Sequence, residues 1–258
     1  MAVTASELIL AYTYDRNGDW DAIIDDIKNK KEFDFTATPM ATIKSKIFGN
    51  YTTIIDEDYP LYAKNCQIQK PFCLFYKGNL NAIEENKSIL IYARRSSKSP
   101  ALEKYARYAL VQTIKKYAPK NDIVLQVSRE YHDLAVKAFR KYAGPNSHIA
   151  EILQYLNISD YFLTFSERSD LVMSVRYESD YTIKPHGGVA ATALQASKKV
   201  IVVEGDKEDL PAVVHFALVE NKDVEVVPYP FFDKDHSNNN LISEGALMFS
   251  VEEQEEEE

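Results

Sequence analysis

Between residues 88 and 229, short apolar runs alternate with longer segments of helical spacing. The runs of strand length are SILIYA (88–93), DIVLQV (122–127), YFLTF (161–165), KVIVVEG (199–205) and DVEVVPY (223–229). The periodicity predicts helices over 100–117, 130–142, 147–158, 186–196 and 208–220. This alternation predicts an α/β, Rossmann-like fold, with a mostly parallel sheet that has helices on both faces.

The first 50 residues follow a different pattern, which predicts a small helical N-terminal segment. Asp19 is placed to cap one helix, and residues 40–48 predict another. The chain from 51 to 80 is irregular and ends in a short buried strand, 72–77, closed by Gly78. Residues 171–183 interrupt the later alternation and predict an additional strand or hairpin.

The net charge of −9 is unevenly distributed along the chain. Six glutamates at 252–258 leave only −3 for the remainder, and such a run predicts a disordered acidic tail over 251–258. A tail of this charge is also able to compete with nucleic acid for a basic surface. Because the body of the chain is not basic, composition alone argues against a large phosphate-binding surface.

Cysteine use and hydropathy predict a cytoplasmic protein. Neither of the two cysteines has metal-ligand spacing, and Cys73 falls in an apolar run that predicts a core thiol. The start lacks the pattern of a signal peptide, and no apolar stretch is long enough for a membrane span. No catalytic, metal or cofactor motif is evident, so we expect no cofactor.

Two sequence motifs carry a family resemblance. Tyr59-Pro60 is followed by Pro71-Phe72-Cys73-Leu74-Phe75-Tyr76-Lys77-Gly78-Asn79, and far downstream stands Ser237-Asn238-Asn239-Asn240-Leu241-Ile242-Ser243-Glu244-Gly245-Ala246. In this order and separation they resemble the DprA/Smf family of DNA-processing proteins. The downstream motif lacks only the family's first glycine. The resemblance implies a DprA-like domain over 51–250, after the 1–50 segment and before the tail.

The family's functional motifs are only partly present between these two segments. Arg94 occupies the arginine position of a Gly-Ser-Arg motif whose glycine and serine are missing. Lys137 stands where the family has a histidine, and Asp133 matches an aspartate loosely. Residues 151–153, Glu-Ile-Leu, replace a basic Arg-Asn-Arg segment, so positive charge is lost there.

The candidate DNA-binding residues are Arg94, Arg95, Lys98, Lys137, Gly187 and Gly188. Ligands of open parallel sheets bind beyond the carboxyl ends of the strands, where Arg94 and Arg95 follow the first core strand. The glycine pair opens a predicted helix, whose backbone N–H groups suit a phosphate. The alternatives are a surface arginine pair bound to nearby acids and a tight strand-to-helix turn. Tyr105 and Tyr108 either stack bases or pack against the sheet.

The resemblance implies a single-stranded DNA-binding protein that acts in DNA uptake and recombination and is not an enzyme. It further implies a RecA-type recombinase as partner, a recombinase-loading role and a homodimer. The alternative hypotheses are a domain that binds a small nucleotide-type ligand and a protein-interaction relative that has lost DNA binding.

Overall fold

The structure is a computed structural model whose described residues form two compact units. It describes residues 3–47, 49–60, 64, 71–95, 99–153, 169–174, 196–205, 210–230 and 236–250. One unit is drawn from 1–82 and 150–196, and the other from 83–149 and 197–258. The candidate residues Lys98, Gly187 and Gly188, the predicted strand at 161–165, the predicted helix at 186–196 except for its last residue, and the acidic tail lie outside the described residues.

Helices and strands alternate through most of the described chain. The helices are α1 (Ala5–Asp15), α2 (Trp20–Lys28), α3 (Met40–Lys46), α4 (Pro100–Tyr117), α5 (Arg129–Tyr142), α6 (Leu210–Val219) and α7 (Ser237–Ser243). The strands are β1 (Asn50–Thr53), β2 (Cys73–Gly78), β3 (Ser88–Ala93), β4 (Asp122–Val127), β5 (Ile149–Leu153), β6 (Leu171–Ser174), β7 (Lys199–Glu204), β8 (Asp223–Val226) and β9 (Leu247–Met248).

Side-chain caps begin the first two helices. Thr4 accepts a hydrogen bond from the Glu7 amide while the Glu7 carboxylate accepts one from the Thr4 amide, which forms a capping box before α1. The predicted cap of α2 is confirmed, because Asp19 Oδ1 accepts from the Ala22 amide at 3.1 Å. Both caps satisfy backbone donors that an isolated helix start leaves unpaired.

In the first unit, the helical segment shares an apolar core with strands β2 and β6. Leu10 of α1 and Ile43 of α3 pack with Cys73, Phe75 and Val172. β2 pairs antiparallel with β1 and β6, and β6 pairs parallel with β5. Cys73 is the predicted core thiol, and its complete burial raises its pKa.

Gly78 has a conformation and a contact that require glycine. Its φ is +104°, and a Cβ atom at this position would lie 2.1 Å from the carbonyl oxygen of Asp170. The next amide, that of Asn79, donates to the same oxygen at 3.1 Å. The glycine of the Lys77-Gly78-Asn79 motif therefore lets β2 approach the chain just before β6.

The second unit contains a parallel sheet in the order β4-β3-β7-β8-β9. All six residues of β3, an interior strand that pairs with β4 and β7, are buried. Helices α4 and α5 pack on the face that includes Ile89, Ile91 and Ile123. Leu90 and Tyr92 on the opposite face are also buried. A parallel sheet covered on both faces confirms the predicted Rossmann-like α/β fold.

Several predicted element bounds need correction. Ile149–Leu153 is a strand and not part of a helix over 147–158, because a short run rich in Ile and Leu fits either period. Residues 50–53 form β1, which was not expected, and 171–174 form the predicted additional strand. α7 and β9 were also not predicted. In the part of the chain that the structure describes, no helix is long and apolar enough to span a membrane.

Candidate nucleic-acid interface

The order of the strands reverses at β3, so Arg94 follows a switch point of the sheet, where open α/β sheets have a crevice. The chain runs from β3 to β4 on one side and later returns to β7 on the other. The Arg94 amide donates to the carbonyl oxygen of Glu204 at 2.8 Å, across the carboxyl ends of β3 and β7. In open α/β sheets, such a switch point is where ligands bind.

The backbone around this switch point is irregular. The register between β3 and β7 shifts after Tyr92, which pairs with Val202, so that Ala93 pairs with Glu204. On the other side, the Ser128 amide donates to the Ala93 carbonyl at 2.9 Å. A bulge of this kind redirects the residues that follow it. It therefore sets the direction in which the chain leaves β3 at Arg94.

Arg95 is exposed and its guanidinium is paired with an acid on α4. Its Nη2 atom lies 2.8 Å from Glu103 Oε2, and its amide donates to Ser128 Oγ at 3.3 Å. Arg107, one turn further along α4, lies 3.0 Å from Oε1 of the same carboxylate through its Nη2 atom. This contact matches the alternative that the sequence left open for Arg95, namely a surface arginine paired with a nearby acid.

A buried carboxylate lies beneath these charges at the end of β7. Tyr131 of α5 donates its hydroxyl hydrogen to Glu204 Oε2, and both side chains are buried. Burial, and then the bond to the carboxylate, raise the pKa of Tyr131 well above its usual value. The Arg107 guanidinium lies 5.5 Å from the centre of the Tyr131 ring, a cation–π distance. We call Arg94, Arg95, Glu103, Arg107, Tyr131 and Glu204 the strand-end network.

The candidate residues that the structure describes are not all at one place. Arg94, which is half-buried, and Arg95 lie together at the end of β3. Lys137 is exposed on α5, two turns from Arg129, or about 12 Å along the helix axis. Since α5 starts at the carboxyl end of β4, Lys137 lies away from the strand-end network.

The tyrosines of α4 divide between packing and exposure. The Tyr105 hydroxyl donates to the Pro228 carbonyl at 2.7 Å, and its ring meets Tyr229 edge-on at 5.1 Å. Tyr105 therefore packs in the second unit. Tyr108 is 56% exposed, so base stacking by Tyr108 stays a prediction.

The downstream family motif, residues 237–246, ties α7 to the strand ends. Asn239 Oδ1 accepts from the Tyr229 amide at 2.8 Å, and its Nδ2 donates to the Tyr229 carbonyl at 3.2 Å. Asn238 is buried and donates to the carbonyls of Val203 and Val227, both at 3.0 Å. These amides bind the backbone that leaves β7 and β8, so the motif has a structural role beside the crevice.

Sequence reasoning missed four members of the strand-end network: Glu103, Arg107, Tyr131 and Glu204. Glu103 and Arg107 stand four residues apart, a spacing that indicates an ion pair within one helix. It does not indicate that Glu103 also pairs with Arg95. Glu204, an acid at the end of an apolar run, is a weak signal of a buried charge. The pairing of Tyr131 with Glu204 joins residues 73 positions apart and has no local signal.

The fold and the network define a Rossmann-like α/β protein with arginines at the switch point of its sheet. Neither the models of protein families nor the curated protein sequences compared with this chain contain a match.

Two solved structures of DNA processing protein A are similar to this one. The protein from Streptococcus pneumoniae has a TM-score of 0.67 at 18% identity, covering 97% of this chain and 91% of that chain. The protein from Helicobacter pylori, whose structure concerns its single-stranded DNA binding mode, has a TM-score of 0.53 at 18% identity, covering 79% and 93%. The chain therefore has a DprA-like fold.

Proposed function

We propose that this chain is a single-stranded DNA-binding protein of the DNA-processing type, which acts in DNA uptake and recombination. The observation that carries the proposal is the position of Arg94 and Arg95 at the switch point of a DprA-like fold. Guanidinium groups bind phosphate oxygens well, and this crevice lies where such folds bind their ligands. The sequence motifs at 59–79 and 237–246 support the same function.

In this proposal, Arg94 and Arg95 contact backbone phosphates, and the exposed Tyr108 offers a ring for base stacking. Lys98, Lys137, Gly187 and Gly188 remain proposed DNA-binding residues that extend the path of the strand. The body of the chain has only a small net charge, so we expect a short contact with few phosphates, not a long electrostatic groove.

Fluorescence anisotropy with a labelled single-stranded oligonucleotide, measured over a salt series, tests the proposal. We expect affinity to fall with log salt at about −0.7 per phosphate contact. Arg94→Ala and Arg95→Ala should each weaken binding, and Arg94→Ala should make the slope shallower by about one such contact. Lys120→Ala is the matched control, because Lys120 is exposed beyond the far end of α4. Absence of binding at low salt would refute DNA binding.

The finer role that we propose is a recombinase-loading accessory, with a RecA-type recombinase as partner and a homodimer as the working form. This role requires that the chain speed recombinase assembly on single-stranded DNA, and that Arg94→Ala abolish the effect. Sedimentation at several protein concentrations tests dimerisation independently of DNA.

One observation favours a different class of ligand. The carboxylates of Glu103 and Glu204 lie in the same strand-end network as the arginines, which lowers its net positive charge. A mixed site of this kind also suits a small nucleotide-type ligand, whose phosphate binds arginine while a carboxylate accepts from its hydroxyl or amino groups. Calorimetric titration with nucleoside mono- and diphosphates separates the two, because saturable nucleotide binding without DNA binding supports only the small ligand.

A further inference from the structure

The carboxylate of Glu103 bridges two guanidinium groups. Oε2 lies 2.8 Å from Arg95 Nη2, while Oε1 lies 3.0 Å from Arg107 Nη2 and 3.1 Å from Arg107 Nε. Each oxygen of the carboxylate thus contacts a different arginine. This is the arrangement in which two arginines hold the oxygens of a phosphate.

The two arginines are more accessible than the acid between them. The side chain of Glu103 is 23% exposed, whereas those of Arg95 and Arg107 are 41% and 40% exposed. Arg107 also lies 5.5 Å from the centre of the Tyr131 ring, which supports its guanidinium. The guanidinium groups are therefore held in place with part of their surface open to an incoming anion.

We propose that Glu103 is an internal competitor, which occupies the phosphate-binding atoms of Arg95 and Arg107 and limits anion binding at the strand ends. The inference rests on the proposed function, since it concerns the regulation of the same site. With Glu103 the three side chains carry a net charge of +1, and without it they carry +2. Partly exposed ion pairs are weak, so a phosphate of high local charge is able to displace the carboxylate.

This exchange has two measurable consequences. A phosphate that approaches the arginines is repelled by Glu103, and removal of that repulsion strengthens binding by about tenfold at low salt, the effect of two charges about 5 Å apart at an effective dielectric constant of about 50. In addition, Arg95 and Arg107 become full phosphate contacts, so the salt slope steepens by about 0.7 for each.

The test compares wild type, Glu103→Gln and Glu84→Gln by anisotropy with single-stranded DNA. Glu84 is the matched control, because it too pairs with a cationic side chain, that of Lys87 at 2.8 Å, but lies before β3 at the end opposite Arg94. We expect Glu103→Gln to bind more tightly and with a steeper slope, and Glu84→Gln to behave as wild type. Glu103→Ala must repeat the result, and thermal unfolding checks that each variant is folded.

A second probe, inorganic pyrophosphate, separates this inference from the proposed function. Its binding is followed through the NMR signals of the arginine Nε–H groups in wild type and Glu103→Gln. Tighter pyrophosphate binding by Glu103→Gln without DNA binding supports the competitor role and refutes the DNA function. Equal or weaker binding by Glu103→Gln to both probes overturns the competitor role, and if wild type still binds DNA, the proposed function stands. Absence of pyrophosphate and DNA binding in both proteins overturns both.

Discussion

The hydroxyl of Tyr131 donates a hydrogen bond to the carboxylate of Glu204, and both side chains are fully buried. A buried carboxylate needs such donors because water cannot solvate it. The bond joins the first turn of α5 to the end of β7. Since α5 follows β4, and β4 and β7 flank β3, the bond connects the chain on both sides of β3. It therefore supports the backbone at Arg94, whose amide donates to the Glu204 carbonyl.

Tyr131→Phe should lower the free energy of unfolding by about 2 kcal/mol, because hydrogen bonds to charged groups contribute about 1.5–3 kcal/mol. Urea unfolding at neutral pH measures the change. Tyr108→Phe is the control, since Tyr108 is more than half exposed and should change stability by less than about 0.5 kcal/mol. Equal effects of the two substitutions would contradict the importance of the Glu204 contact.

Stability should also fall at alkaline pH in a way that depends on Tyr131. Burial and the Glu204 carboxylate raise the pKa of Tyr131 above its usual value near 10. As pH rises, the unfolded chain therefore loses the Tyr131 proton at a lower pH than the folded protein does. The contribution of Tyr131 to the free energy of unfolding is complete below pH 10 and is lost as pH rises above it. Urea midpoints between pH 8 and 11 should fall less steeply in Tyr131→Phe. Some dependence should persist, because burial beside Glu225 also raises the pKa of Tyr117.

In the first unit, acid should weaken the link between α1 and α2. Two hydrogen bonds from Arg16, at 2.7 and 2.9 Å, lower the pKa of Asp26 below its usual value near 3.8. The contribution of the Arg16–Asp26 pair to the free energy of unfolding is present above pH 3.8 and is lost as pH falls below it. Asp26→Asn should therefore reduce stability at pH 7 and flatten its dependence below pH 4. The exposed neighbour Asp25→Asn should leave both unchanged in thermal unfolding.

Asn239→Asp should destabilise the protein by about 1–3 kcal/mol. The aspartate still accepts from the Tyr229 amide, but it loses the donor to the Tyr229 carbonyl and places a second acceptor there. Asn240→Asp is the control, because Asn240 is exposed in the same helix. Thermal unfolding distinguishes them, and a neutral Asn239→Asp would contradict a structural role for this motif residue.

Gly78→Ala should cost more stability than Gly245→Ala, although both glycines have positive φ. At Gly245, with φ +108°, a Cβ atom meets nothing within 4 Å, so only the backbone strain of about 1 kcal/mol applies. At Gly78 the Cβ atom also collides with the Asp170 carbonyl, which must move. Urea unfolding of both variants separates the two effects, and equal losses would show that the contact is unimportant.

The elements predicted best were those with unambiguous local signals. β3, β4 and α4 were predicted to the residue, since continuous apolar runs and a proline at the helix start define them. The sequence predicts a helix where β5 lies, because its five residues carry no period that distinguishes a strand from a helix. The position of Arg94 and Arg95 at the edge of the sheet followed from the sequence, because both residues come directly after the apolar run of β3. The contacts of Glu103 and Glu204 did not, because they depend on how distant elements pack.

The direction of α4 determines where experimental probes are best attached. Glu103 lies in the first turn of α4, and Lys116 lies in its last turn, about 20 Å further along the helix axis. The Lys116 side chain donates a hydrogen bond to the Ser250 carbonyl. A label or immobilisation tag joined after residue 250 therefore starts from the end of α4 remote from the arginines. Surface-coupled measurements with such a tag leave the crevice open to long oligonucleotides.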